Sequence, residues 1–290
     1  MMSDFCVFIL SHGRPNNVTT YTSLRNAGYT GQIFLIVDNE DATVNEYKRI
    51  FGKDNVVVFD KAKAAQTVDS AYNSDNRKAI VYARNATFDI AREKGFRYFL
   101  ETDDDYTGWY YLFDEDKKFR SLTISNLDSV FEAVLKFYKS IPAVTIAFAQ
   151  GGDFIGGAEN SHAKIMLLRK AMNTFFCCVD RPVNWRGLLN EDVSTYVLSG
   201  SRGVLFLTLT QVSINQKQTQ SLGGGMSETY GNSGTYVKSF YSVLHSPSCV
   251  SIRIIGTSYQ RIHHNIIWKN AVPLILSEEH RKILTHEKSA

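Results

Sequence analysis

The sequence lacks any apolar run long enough to cross a membrane. A transmembrane helix needs about 20 consecutive apolar residues, and the 290-residue chain has no such stretch. The first ten residues run directly into a strand-like segment and carry no basic start of a signal peptide. We therefore expect a protein without membrane partners that is located in the cytoplasm.

Cysteines are also few. The chain has four, at Cys6, Cys177, Cys178 and Cys249, and no two of them have the Cys-x-x-Cys spacing of zinc sites and redox motifs. The adjacent Cys177 and Cys178 are poor partners for a disulfide. We therefore expect reduced, buried thiols rather than disulfides or a zinc site.

Strong glycine-rich phosphate motifs are absent as well. No Gly-x-Gly-x-x-Gly sequence follows the first predicted strand, and the glycines at 223–225 lack the lysine of a phosphate-binding loop. Ser11 and His12 are adjacent, but the chain has no nucleophile elbow around a serine. These motifs therefore give no basis for a dinucleotide-binding fingerprint, a P-loop or a serine nucleophile.

The chain does have the composition of a soluble globular protein. Apolar residues make up 44% and charged residues 21% of the sequence, which is enough for a sizeable core. The net charge of +3 is mild, so it permits a polyanionic partner without requiring one. No domain boundary is visible, and we expect residues 1–290 to form a single domain.

Strand and helix patterns alternate through the first 110 residues and predict an α/β fold. This order is typical of a parallel sheet with helices on both faces. The predicted strands are residues 5–10, 32–37, 56–59 and 96–101, and the predicted helices are 18–27, 47–52 and 76–94. The second half is less regular, with predicted helices at 127–140 and 190–198, strands at 143–149 and 204–212, and a mobile loop at 211–230.

Polar clusters follow three of the predicted strands, and this coincidence is the first functional signal. In parallel sheets, ligands bind at the carboxyl ends of the strands. We therefore expect the three clusters to lie at one site. They are Ser11-His12-Gly13-Arg14, Asp38-Asn39-Glu40-Asp41 and Thr102-Asp103-Asp104-Asp105.

The acidic cluster after residue 101 is the strongest candidate for a metal site. In an extended chain, Asp103 and Asp105 point the same way, and Asp104 points the opposite way. Neighbouring carboxylates repel one another unless a cation offsets their charge. Asp103 and Asp105 therefore fit one hard cation such as Mg²⁺ or Mn²⁺, although a solvated acidic turn has the same composition.

Two other groups have both a chemical and a structural interpretation. Glu191 and Asp192 could supply a general base, or they could cap the helix that begins there. Arg84 lies on the predicted helix at 76–94, where it could bind phosphate oxygens or face solvent.

Two adjacent histidines near the carboxyl end form a third group. Successive side chains of a strand point to opposite faces, so we expect only one of His263 and His264 to enter a site near Lys269. A histidine there could ligate a metal or contact phosphate, and a packed or solvent-facing pair is the structural alternative.

Together these residues resemble the GT-A glycosyltransferases. The resemblance rests on Asp103-Asp104-Asp105 as a DxD motif, on Glu191-Asp192 as an acidic dipeptide, and on the Arg84-Asn85 pair. It implies a Rossmann-like mixed sheet flanked by helices. Residues up to about 110 would bind a nucleotide-sugar, and residues from about 111 to 290 would bind the acceptor.

The chain is more specifically similar to the TET-associated glycosyltransferases, which are found mainly in bacteriophages and are linked to sugar addition on modified bases in DNA. The similarity spans nearly the whole chain. It is most specific at residues 190–203, 216–220, 224–226, 233–239 and 261–270. The chain departs from its relatives at Glu101 and Thr102, where they tend to be more apolar.

This resemblance implies a metal-dependent, inverting enzyme that moves glucose or arabinose from a UDP-sugar to 5-hydroxymethylcytosine in DNA. The implied cofactor is Mn²⁺ or Mg²⁺, and the implied partners are the UDP-sugar and DNA that contains a 5-hydroxymethylpyrimidine. If a phage encodes the chain, its location is the cytoplasm of the infected host cell. Alternatives are a glycan or protein acceptor, a metal-dependent nuclease and a non-catalytic DNA-binding module.

The resemblance also implies roles for individual residues. Asp192 is the general base, with Glu191 as the alternative. The metal ligands are Asp103 and Asp105, together with His263. The residues that bind the donor are Ser11, His12, Gly13, Arg14, Asp38, Arg84, Asp103, Asp104 and Lys269.

Overall fold

The computed structural model describes residues 3–69, 77, 79–116, 118–150, 167–217, 237–256 and 260–273. These residues form a large sheet flanked by helices and a separate two-stranded hairpin. The strands are β1 (Phe5–Leu10), β2 (Ile33–Asp38), β3 (Val56–Phe59), β4 (Tyr98–Asp103), β5 (Tyr106–Phe113), β6 (Phe119–Thr123), β7 (Thr145–Gln150), β8 (Phe175–Cys178), β9 (Phe206–Gln216), β10 (Val250–Ile255) and β11 (Arg261–Ile266). The helices are α1 (Thr19–Asn26), α2 (Val44–Phe51), α3 (Lys61–Ala65), α4 (Val81–Glu93), α5 (Leu127–Lys139), α6 (Glu191–Gly200), α7 (Val237–His245) and α8 (Trp268–Ala271).

The large sheet has nine strands in the order β3-β2-β1-β4-β8-β7-β9-β5-β6. The first four strands of this order are parallel, so their carboxyl ends meet at one edge. β8 is antiparallel to β4 and β7, and β5 is antiparallel to β9 and β6. The expected Rossmann-like mixed sheet flanked by helices is therefore confirmed.

The central strand β1 is buried on both of its faces. Its side chains alternate between two apolar clusters, as the period of a strand requires. Val7 belongs to the cluster with Leu24 of α1 and Phe131 of α5, and Phe8 belongs to the cluster with Phe88 of α4. Because both faces are covered, a ligand can reach these strands only at their ends.

The link between β4 and β5 consists of only two residues, Asp104 and Asp105, although β8, β7 and β9 lie between the two strands in the sheet. A register shift between β7 and β9 at Phe148 marks a bulge, which increases local twist. The end of β9 thereby reaches the acidic link, and the backbone N–H of Lys217 donates to the carbonyl of Asp105 at 3.1 Å.

The sequence patterns located the four parallel strands to within two residues, and residues 56–59 of β3 were predicted without error. The helix predicted at residues 76–94 is shorter in the structure, where α4 begins at Val81. The predicted loop at 211–230 is wrong at its start, where β9 continues to Gln216. Residues 218–230, including the glycines at 223–225, lie outside the described residues.

The cysteines agree with the expectation of buried, reduced thiols. All four cysteines are buried and form no disulfide. Within the part of the chain that the structure describes, no helix is long and apolar enough to span a bilayer.

Candidate active site

The three polar clusters that follow β1, β2 and β4 meet at the carboxyl edge of the sheet. The hydroxyl of Ser11 donates to Oδ2 of Asp104 at 2.5 Å, and Nδ1 of His12 lies 2.7 Å from Oδ2 of Asp38. Tyr47 of α2 joins them, because its hydroxyl lies 2.7 Å from Oγ of Ser11. The expectation that these strand ends lie together is therefore confirmed, although Tyr47 was not predicted.

The β1 and β2 ends form a polar cluster in which each carboxylate has partners from the protein. Asp38 is 4% exposed and accepts from His12, and Nζ of Lys61 lies 3.3 Å from its Oδ2. The backbone N–H of Gly13 donates to Asp41 at 2.7 Å. Burial alone would raise the pKa of Asp38, but the hydrogen bond from His12 and the charge of Lys61 overcome it and lower the pKa.

Arg84 connects the end of β4 to the start of α6. Its guanidinium is 2% exposed, and three of its nitrogens bind three carboxylates. The distances are 2.7 Å to Glu101, 3.1 Å to Asp103 and 3.1 Å to Glu191. The ring centroid of Phe175 lies 5.1 Å from the guanidinium carbon, an arrangement in which the ring face attracts the cation.

This geometry differs from both sequence interpretations of Arg84. The side chain does not face solvent, and it is engaged with carboxylates rather than directed at an open phosphate site. The reason is Glu101, the unusual acidic residue of β4, which is fully buried and requires a cationic partner. Arg84 and Glu101 therefore form an internal support for Asp103 and Glu191.

The acidic link holds one carboxylate oxygen that has no hydrogen-bond partner among the described residues. Asp104 is buried against Ser11 and lies 3.5 Å from Arg14. Oδ1 of Asp105 is buried and has no hydrogen-bond partner among the described residues. Burial, followed by the charges of Asp103 and Asp104, raises the pKa of Asp105 to about 7. A divalent cation would remove this penalty, so the carboxylates present fit such a group.

The expected three-residue metal set is not assembled in this structure. Among the described residues, no group of three or more His, Cys, Asp or Glu side chains is close enough to hold a metal ion. Nδ1 of His263 lies 2.6 Å from the carbonyl oxygen of His264, a contact that uses one of its two ring nitrogens. The assignment of His263 as the third ligand stays a prediction, as do those of Asp103 and Asp105.

The start of α6 carries the proposed base. Asp192 is 8% exposed, and its charge contributes to the raised pKa of Asp103, after burial as the main cause and against the opposing charge of Arg84. Asp192 is therefore close enough to Asp103 for its charge to act on that carboxylate. Burial also raises the pKa of Glu191, and Arg84 opposes this effect, so the Glu191 carboxylate is already held by an internal cation.

Asn190 immediately precedes α6, and it had no predicted role of its own beside Glu191 and Asp192. It adopts a left-handed backbone conformation with φ 57°, which is uncommon for a residue other than glycine. Its side-chain amide lies 3.0 Å from Oγ of Ser242 and 3.1 Å from Nδ1 of His264. Nζ of Lys170 lies 3.0 Å from Nε2 of the same histidine. Asn190 itself makes no side-chain capping hydrogen bond, but Oδ1 of Asp192 accepts from the backbone N–H of Val193 at 2.7 Å. The capping interpretation therefore stays open for Asp192 beside its proposed role as a base.

Among the carboxyl-terminal residues, His264 contacts the start of α6 through Asn190. His263 and Lys269 were the residues predicted to enter the site. Burial, together with the charges of Lys170, His263 and Lys238, lowers the pKa of His264 to about 3, so the ring is neutral. Lys269 is exposed on α8. Within the described ranges, no hydrogen bond or ion pair joins Lys269 to the carboxylates of the site.

Comparisons with known proteins were made for the sequence and for the fold. A family model described as TET-Associated Glycosyltransferase matches residues 5–225. No curated protein sequence matches the chain.

Several solved structures are similar at low sequence identity. Glucosyl-3-phosphoglycerate synthase from Mycobacterium tuberculosis, in complex with Mn²⁺, uridine diphosphate and phosphoglyceric acid, has a TM-score of 0.45 and 9% identity, over 91% of this chain and 87% of that one. S. aureus TarS in complex with UDP has a TM-score of 0.44 and 10% identity, over 83% of this chain and 65% of that one.

Proposed function

Because the chain belongs to the TET-associated glycosyltransferase family, we propose that it transfers a sugar from a UDP-sugar to the hydroxymethyl group of 5-hydroxymethylcytosine in DNA. Glucose and arabinose are the leading sugars, and Mn²⁺ or Mg²⁺ is the proposed cofactor. The acceptor follows from the resemblance described above, since members of this family are linked to sugar addition on modified DNA bases.

The observation that carries the proposal is the excess of negative charge at the carboxyl edge of the sheet. The charge of Asp192 acts on Asp103, and the charges of Asp103 and Asp104 act on Asp105. Among the described residues, the paired cations are Arg14 at Asp104 and Arg84 at Asp103. A site for a doubly charged cation beside a diphosphate needs such an excess, because the cation and the protein must balance the phosphates. The unpartnered oxygen of Asp105 supports a ligand role for that residue.

The donor would lie over the ends of β1, β2 and β4. The polar cluster of His12, Asp38 and Lys61 is suited to the ribose and base of a nucleotide, because it presents donors and acceptors on a rigid edge. Asp103 and Asp105 would hold the cation near the diphosphate. When bound, that cation would offset the negative charge on the leaving diphosphate.

Asp192 would act as the general base for the acceptor. Its carboxylate takes the proton from the hydroxymethyl oxygen, that oxygen forms a bond to the anomeric carbon, and the bond from this carbon to the diphosphate breaks. A base in this position contributes about 10²–10⁴-fold to the rate. Attack from the face opposite to the leaving group inverts the anomeric configuration.

The test uses two DNA duplexes of the same sequence, one with cytosine and one with 5-hydroxymethylcytosine. Each is incubated with a panel of UDP-sugars and Mn²⁺, and the nucleosides are then analysed by mass spectrometry. We expect a sugar adduct only on the hydroxymethylated duplex and none in excess chelator. Equal labelling of both duplexes, or labelling of a glycan or protein but of neither duplex, would contradict the proposed acceptor.

A further inference from the structure

The β10–β11 hairpin carries two exposed isoleucines, Ile254 and Ile262, near the end of its strands away from its buried base. Residues that pair across the hairpin share a face, and Val250–Ile266 and Ile254–Ile262 are two such pairs on the same face. The base of this face is buried, with Val250 2% and Ile266 9% exposed. Near the tip, Ile254 is 68% and Ile262 39% exposed. Ile254 and Ile262 are adjacent on one face and together form an exposed apolar patch, and such patches mark interaction sites more often than single exposed side chains do.

The same face of the hairpin contacts the start of α6. His264 lies between the buried base and the exposed tip, and its Nδ1 is 3.1 Å from the amide of Asn190. Asn190 immediately precedes Glu191 and Asp192. Because a strand rises about 3.3 Å per residue, Ile262 lies about 7 Å beyond His264 toward the tip. The exposed isoleucine pair therefore lies on the hairpin that contacts the residue immediately before Glu191 and Asp192.

Cationic side chains lie around the hairpin and narrow the chemistry of its partner. Lys170 contacts His264 directly, and Lys238 is close enough for its charge to act on the same ring. Arg253 is exposed and pairs with His263 on the other face of the hairpin. Exposed apolar side chains with cations near them are complementary to a nucleic acid. The apolar side chains suit the stacked base faces, and the cations suit the anionic backbones.

We propose that Ile254 and Ile262 form an apolar wedge that enters the base stack of the acceptor duplex and fills the space left when the target base turns out toward Asp192. This inference rests on the DNA acceptor proposed above. Apolar side chains inserted between base steps are a known way to unstack DNA, and an extruded base exposes its 5-substituent to a catalytic residue. Arg253, on the opposite face, lies where it would meet a backbone phosphate.

The experiment compares the Ile254→Ser/Ile262→Ser double variant with the wild-type protein on three substrates. These are a duplex with one 5-hydroxymethylcytosine, the same strand alone, and the duplex with 2-aminopurine next to the target. The wedge predicts that duplex transfer falls by about tenfold or more, because the variant no longer offsets the cost of unstacking. Transfer to the single strand should change by less than about twofold, because that base needs no extrusion. The fluorescence of 2-aminopurine should rise when the wild-type protein binds the duplex and should not rise when the variant binds it.

Leu122→Ser is the matched control, since Leu122 is an apolar side chain of β6 that is 43% exposed. It should leave transfer to both DNA forms unchanged. Unchanged duplex transfer by the double variant would overturn the wedge, and so would an equal loss on duplex and single strand in a variant with the wild-type Tm. Failure of the wild type to label either DNA form would instead remove the proposed acceptor, and the wedge with it.

Discussion

The two sides of the candidate site differ in how their carboxylates are balanced. On the β1–β2 side, His12 and Lys61 surround Asp38 and lower its pKa. On the β4 side, the buried Asp105 has no hydrogen-bond partner for Oδ1 among the described residues, and its pKa is raised to about 7. On the first side the charges are balanced within the fold, whereas on the second side the proposed cation would balance them.

The largest expected effect is at Asp105. Asp105→Asn removes the unpartnered carboxylate, so we expect transfer to fall by at least about 10³-fold, as for loss of other electrostatic groups at a developing charge. Without metal, the variant should unfold at the same or a higher temperature than the wild type, because a buried like charge has been removed. Transfer assays with Mn²⁺ and thermal unfolding in chelator measure the two effects. A variant that keeps its activity would show that Asp105 is not a ligand.

The next effect is at Asp192. Asp192→Asn keeps the shape of the side chain but cannot accept the proton, and we expect a loss of about 10²–10⁴-fold in kcat. Binding of the UDP-sugar, measured by calorimetry, should be unchanged because the donor lies over the strand ends. Glu191→Gln is the comparison variant. If it lost more turnover than Asp192→Asn while the fold stayed intact, Glu191 would be the base.

A third effect concerns stability rather than turnover. Arg84→Met leaves Glu101, Asp103 and Glu191 without their shared cation, and a broken buried ion pair costs about 3–5 kcal/mol. Arg92→Met on the same helix breaks an exposed pair with Asp89 and should cost less than about 1 kcal/mol. Denaturant unfolding of both variants measures the difference. Equal unfolding free energies for the two variants would mean that Arg84 does not support the site.

The smallest effect is a difference in the pH dependence of stability between the two sides, measured without metal. The raised pKa of Asp105 means that the folded state resists its ionisation, so Asp105→Asn should become relatively more stable as pH rises from the ordinary value of 3.8 to about 7. The lowered pKa of Asp38 has the opposite effect on stability. Asp38→Asn should be less stable at neutral pH, and the difference should vanish as pH falls through the folded-state pKa, below 3.8. Parallel Tm profiles for the two variants would refute the contrast.

The part of the site that the sequence predicted is the part encoded by local patterns. Apolar runs located the parallel strands, and parallel strands bring their carboxyl ends to one edge whatever the intervening helices do. For this reason Ser11, Asp38 and Asp103 were correctly expected to lie together. Alternation along a strand also correctly indicated that Asp104 would be buried differently from its two neighbours.

The rest of the site depends on contacts between residues that are distant in the sequence. Arg84 meets Glu101 on the next strand and Glu191 from 107 residues away, and no local pattern specifies that pairing. His264 reaches Asn190 across 74 residues, so the sequence could not decide which of the two histidines enters the site. Lys61 had a weak signal that was overlooked, since it follows the end of a fourth parallel strand.

The two-residue link between β4 and β5 limits how this site can change over generations. Asp104 and Asp105 are the whole connection between the two strands, and one residue extends at most about 3.6 Å. An inserted or deleted residue could not be absorbed in a loop. It would shift β4 along β1, or β5 along β9, by one position, and such a slip turns every side chain of the strand to the other face. Length variation among descendants of this chain should therefore be excluded from the link, and new specificities should arise there by replacement of side chains.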